Sequence, residues 1–170
     1  MNMRVSLATV LLVVACKEDP LKNLAPGTGP AVSDADLVVL IQPTASWVYY
    51  KNFTTPFGKA SSSPHPEPFI RVRYNTRAAM QLDAGGKVKV GVVFADSSVI
   101  VKELSDGTTV STYAVMMKLN GSSSAGFGGW IWAEYGPGGA TRYSTASRGG
   151  ACSSCHSSGI DYTRMNDTHP

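Results

Sequence analysis

A chain of 170 residues with 15 basic and 12 acidic side chains is long enough for one domain with a real core. So nearly balanced a charge excludes a nucleic-acid binder, which needs a basic stripe. No Gly-rich phosphate loop stands between a strand and a helix, and no internal repeat is visible.

Residues 1–16 read as an export signal. Arg4 precedes a short apolar run, "VSLATVLLVVAC", too short to anchor as a spanning helix. Its end, Val13-Val14-Ala15-Cys16, resembles the bacterial lipoprotein cleavage box, in which the cysteine carries the lipid. The alternative is a plain secretory signal with an incidental cysteine. Either way the chain is expected to be exported. With lipid on Cys16 it is a periplasmic or cell-envelope lipoprotein, touching the membrane through that lipid only. Residues 17–33, rich in Pro, Gly and Lys, read as a flexible tether, and residues 34–170 as the folded domain.

Within that domain Ser33, Asp34 and Asp36 signal a helix start, with "DLVVLIQ" as a short helix. Residues 54–68 form a Pro/Ser loop. "FIRVRY" (69–74) alternates as a strand, and Asn75 caps a short helix over "TRAAMQL". Three further strands are predicted in "KVKVGVVF" (87–94), "SVIVKELS" (98–105) and "TTVSTYAVMMKL" (108–119). "SDG" (105–107) makes a hairpin turn between the last two. "GWIWAEYG" (129–136) is an aromatic strand. The fold class expected is α+β, mainly antiparallel β-sheet with a few short helices.

The chemistry stands at "ACSSCHSSGI" (151–160), where Cys152, Cys155 and His156 spell C-x-x-C-H on a short helix or turn. Zinc needs four ligands, usually from two such clusters, and here there is one. A thioredoxin-like pair belongs at a helix start in a β-α-β pattern. A structural disulfide is allowed in an exported chain. The adjacent histidine favours a fourth reading. Both thiols form thioethers to one haem c, and the imidazole of His156 ligates its iron. Fourteen residues follow His156, so the haem is roofed by residues that precede it. Met116, Met117 and His65 are possible sixth ligands, each also readable as core or loop, and an open sixth position is favoured. The aromatics Phe69, Phe94, Trp130 and Trp132 read either as a haem cap or as ordinary core. Arg71, Arg73, Arg142 and Arg148 read either as propionate partners or as surface charges. Lys102 shares a strand face with Ile100 and Leu104, where an ammonium is costly. It either lines the haem pocket as a nucleophilic amine or snorkels to water from the strand end.

Several stretches, in order, resemble the cytochrome P-460 family, which includes the cytochromes c′-beta. They are "FIRVRYNTRAA", "VFADSSVIVKELS", "YAVMMK", "GWIWAEYG" and "CSSCHSSGIDYTR"; the resemblance covers roughly residues 34–165 and is densest from residue 69. The resemblance implies a β-rich homodimer with five-coordinate haem that binds nitric oxide or hydroxylamine. In the hydroxylamine-oxidising members the lysine of V-K-E-L is bonded to the porphyrin, which here is Lys102. Those members also carry a glutamate above the haem, and the matching position here is Ala114. The resemblance thus implies nitric oxide binding with weakened hydroxylamine oxidation. Glu134, on the face of Trp130 and Trp132, is the next candidate base. The remaining alternative is a non-catalytic gas-binding or electron-transfer cytochrome.

Overall fold

The computed structural model describes residues 27–44 and 46–165. Cys16, the export signal and most of the tether lie outside the described residues. Among the described residues no helix is long and apolar enough to cross a membrane.

Ser33 starts α1 (Asp34–Val38) with a capping box. Its hydroxyl accepts from the Asp36 amide at 3.2 Å, and its own amide donates to the Asp36 carboxylate at 2.8 Å. The helix tightens to a 3₁₀ turn over Val39–Ile41, where β-branched residues lower helix propensity. Then come β1 (Val48–Tyr49), β2 (Phe57–Gly58) and β3 (Phe69–Tyr74). Asn75 caps α2 (Thr76–Ala79), and β4 (Val99–Ser105), β5 (Val110–Lys118), β6 (Trp130–Tyr135) and β7 (Thr141–Tyr143) follow. The last element is α3 (Ser153–His156). Every strand pairing is antiparallel, in the order β1-β3-β4-β5-β6-β7, with β2 also on β3. The molecule is therefore mainly an antiparallel sheet with a few short helices.

Strand alternation divides the core between the two faces of this sheet. One face buries Val99, Val101, Val115 and Ile131 against Leu37 and Ile41 of the α1 region. The other buries Val72, Ile100, Leu104, Met116, Trp130 and Trp132, and receives Met165.

One expected strand is absent. Residues 87–94 form only a single bridge, Leu82 to Val88. Val90 is 89% and Val93 69% exposed. The alternation is real, but β3 and β4 already pair with each other and leave no free edge for this segment. Gly91 turns the backbone through φ +74°; Val88 and Phe94 are buried in the core and Val92 packs partly against it. The two-residue β1 and β2 and the three-residue β7 were not expected, β2 falling within the segment read as a Pro/Ser loop; all three are too short to show a period.

Candidate functional site

Register builds the site floor. Lys102 of β4 stands opposite Ala114 of β5, and Ala114 opposite Glu134 of β6. Val72 of β3 pairs with Lys102, completing a row across four strands. The neighbouring row on the same face is Tyr74, Ile100, Met116 and Trp132. With strands about 4.8 Å apart, Lys102 and Glu134 flank a gap about two strand spacings wide, floored by the methyl group of Ala114. Glu103 points to the opposite face, as alternation requires. There it meets Arg71 at 2.6 Å and Arg73 at 3.4 Å.

Above this floor lies a cavity of about 360 Å³, within the range of small-molecule sites. Cys152, Cys155, His156, Lys102, Ala114 and Glu134 all line it. His65 lines it as well, from the Pro/Ser loop, whose fold is held by Lys59 Nζ donating to the His65 carbonyl. Met116 also reaches the cavity, whereas Met117 belongs to the core on the opposite face. Of the four aromatics singled out in the sequence, Trp132 lines the cavity. Phe94 and Trp130 form an edge-on pair in the adjoining core, and Phe69 is largely exposed.

Cys152 and Cys155 carry free thiols. Burial, with Glu134 adding to it, pushes the Cys152 thiol up to about 11. Among the described residues no group of three or more His, Cys, Asp or Glu side chains is arranged as a metal cage. The His156 ring packs edge-on against Trp132, centroids 4.8 Å apart. Gly149 makes room for that indole, since a Cβ there would collide with the Trp132 ring. Nδ1 of His156 lies 2.8 Å from the Tyr162 carbonyl, which can only accept. Nδ1 therefore carries the proton, and Nε2 keeps its lone pair for a ligand. Burial, with Lys102 and Arg164 adding to it, depresses the imidazole to about 4 against the pull of the Tyr162 carbonyl. The ring is neutral at physiological pH.

The cavity is rich in donors. Lys59, Lys102 and Arg164 line it against one carboxylate, Glu134. Burial lowers the Lys102 pKa, Arg164 lowers it again, and Glu134 opposes both. Burial and Glu67 raise the Glu134 pKa, and Lys102 opposes them. The buried Tyr74 hydroxyl and Trp132 Nε1 have no hydrogen-bond partner, and both residues line the cavity. An occupant with anionic or acceptor oxygens meets these groups. None of the four arginines considered from sequence lines the cavity. Arg71 and Arg73 pair with Glu103, Arg142 donates to Thr112, and Arg148 donates to the Ala125 carbonyl. Arg164 escaped sequence reading because nothing local distinguishes it. Asp161 and Tyr162 stand in "CSSCHSSGIDYTR" as an aspartate and an aromatic after the cysteine box, and the role of their backbone has no sequence signal.

Comparison with protein-family models, with curated proteins and with solved structures finds no match to this chain.

Proposed function

We propose that this chain is an exported c-type haem protein whose cavity receives nitric oxide or hydroxylamine. One haem is joined to Cys152 and Cys155 and ligated by His156. The observation that carries this reading is the meeting of two free thiols and an imidazole with an open Nε2 on one donor-rich cavity. Bound haem supplies an iron atom that takes a small nitrogen oxide as ligand and exchanges electrons one at a time.

The chain's own residues supply the rest. His156 offers a neutral imidazole held by the Tyr162 carbonyl. Lys102 sits on an apolar face that favours its neutral, nucleophilic amine, the form that a bond to a porphyrin carbon would require, with that carbon's hydrogen and an amine proton lost and two electrons passed to an external oxidant. Glu134 holds a carboxylate whose raised pKa suits it to take a proton from a bound N–H or O–H. It lies one strand farther from Lys102 than Ala114 does. Arg164 and Lys59, which line the cavity, would offer partners to haem carboxylates. Electrons leave to a redox partner protein. Export through a lipidated Cys16 and homodimer formation complete the proposal.

Ala114 favours a second reading. Without a carboxylate beside Lys102, the cavity binds gas and does not turn over, or serves electron transfer alone. The test is acid–organic extraction of the purified protein, followed by the optical spectrum. Haem that stays with the chain is the expected result, and haem that extracts freely overturns the assignment. A ferrous Soret band far to the red of ordinary c-type haem marks the lysine bond, and a six-coordinate low-spin spectrum marks an electron carrier.

A further inference from the structure

We propose that Lys118 and Asp161 are positioning residues for His156, acting through the carbonyl of Tyr162. The inference rests on the reading of His156 as an iron ligand. Lys118 ends β5 with its side chain only 3% exposed, and the Asp161 side chain is 9% exposed. The ammonium donates to both carboxylate oxygens at 2.8 and 2.9 Å and to the Gly128 carbonyl at 2.6 Å. The Asp161 carboxylate also accepts from the Phe94 amide at 2.8 Å, and its backbone carbonyl accepts from Trp130 Nε1 at 2.8 Å. Three separate parts of the fold thus grip one residue.

That residue sits where the backbone is least comfortable. Asp161 and Tyr162 have φ of +43° and +64°, two consecutive non-glycine residues in the left-handed region. The left-handed region brings Cβ close to the following carbonyl oxygen, so a non-glycine residue there is strained unless its surroundings hold it. A buried ion pair alone is weak support for stability, so tightening the core does not account for the arrangement. What the left-handed turn achieves is direction. It closes on Ile160, whose carbonyl accepts from the Thr163 amide at 2.8 Å, and it aims the Tyr162 carbonyl at His156 Nδ1. The ring of Tyr162 packs over Gly128, where a Cβ would collide with it.

A carbonyl held on Nδ1–H makes the imidazole a stronger donor through Nε2. A stronger donor favours ferric over ferrous iron. Loosening the grip therefore raises the reduction potential and weakens the iron–histidine bond.

The experiment uses the full-length haem-bearing protein. Asp161→Asn removes the charge, keeps the size and tolerates a left-handed backbone. Its midpoint potential is expected to rise by the equivalent of about a tenfold change in the ferric-to-ferrous ratio, about 59 mV for one electron. Its ferrous iron–histidine stretch should fall in frequency. Asp34→Asn is the control. Asp34 ties Tyr135, Ser144 and Thr145 together beside α1, so its loss destabilises the fold without touching this turn. Lys118→Gln keeps donors for the same acceptors and serves if Asp161→Asn fails to mature, with a smaller rise expected. An unmoved potential and stretch, or an equal shift in Asp34→Asn, overturns the inference alone. A wild-type protein without covalent haem overturns the proposed function, and this inference with it.

Discussion

Lys102, Ala114 and Glu134 stand side by side on three strands, and the chemistry of the cavity turns on how their charges are balanced. Burial and the nearby Arg164 depress the Lys102 pKa below its ordinary 10.5. Between that depressed value and 10.5 the unfolded chain binds more protons than the folded one, so haem-free stability rises with pH across this window and falls as pH drops through it. Lys102→Met should flatten that slope and stabilise the haem-free protein near neutral pH by about 1 kcal/mol, a figure held low because Lys102 is only partly buried. Thermal unfolding across pH reads it, and an unchanged slope would show that Lys102 is solvated. Glu134 supports a separate prediction. If it is the base, Glu134→Gln should lower hydroxylamine oxidation by about 10²-fold and leave nitric oxide binding intact. Conversely, Ala114→Glu should raise turnover about tenfold, roughly 1.4 kcal/mol of barrier. The new carboxylate would face Glu134 across the ladder and push both pKa values up. Steady-state rates with hydroxylamine decide both, and a Glu134→Gln protein at full rate removes Glu134 from the mechanism.

Asn75 shows how one side chain sets the relation of two elements. Its Oδ1 accepts from the Ala78 amide at 2.9 Å, capping α2, and from the Val99 amide at 3.0 Å, fixing the start of β4. Its Nδ2 donates to the Ser97 carbonyl at 2.9 Å. Asn75→Ala should cost about 2 kcal/mol, the upper end for a lost cap, because a strand amide is orphaned along with the helix. Urea unfolding measures it, and a loss under half a kcal/mol would mean water replaces the side chain. The cap was legible from sequence because Asn before a helix-forming run is a local signal. Strands β3 to β6 were legible for the same reason, since alternation is written residue by residue. Residues 87–94 alternate equally well and form no strand, because pairing depends on a free sheet edge, which no local pattern records. The row of Lys102, Ala114 and Glu134 was half legible. Alternation predicts the shared face, but only the register across two ladders makes them neighbours. The grip on Asp161 was illegible, since it brings residues 94, 118 and 130 onto one aspartate, with residue 128 held to Lys118.

At the scale of the molecule, the two faces of the sheet are closed by different means. One is sealed by α1 and its 3₁₀ extension through Leu37 and Ile41. The other is closed across a cavity by the segment carrying α3, which has no buried residue of its own. That helix is a single turn, far below the length at which a helix is stable alone. In the haem-free protein its bonds, His156 amide to Cys152 carbonyl and Ser157 amide to Ser153 carbonyl, depend on the chain on either side. Two thioethers would tie α3 to a group packed on β3 to β6, so that opening α3 would require tearing the cavity face apart. Haem loading should then slow hydrogen exchange at the amides of His156 and Ser157 by about 100-fold, equivalent to about 2.7 kcal/mol. The Leu37 amide, bonded to the Ser33 carbonyl on the opposite face, should change far less. Cys155→Ala, left with one thioether, should fall between the haem-free and fully linked proteins. Equal protection at α3 with and without haem would mean that the Asp161 grip already holds this segment shut. The cysteine box would then be an attachment point on a preformed wall and would contribute nothing to closing the cavity.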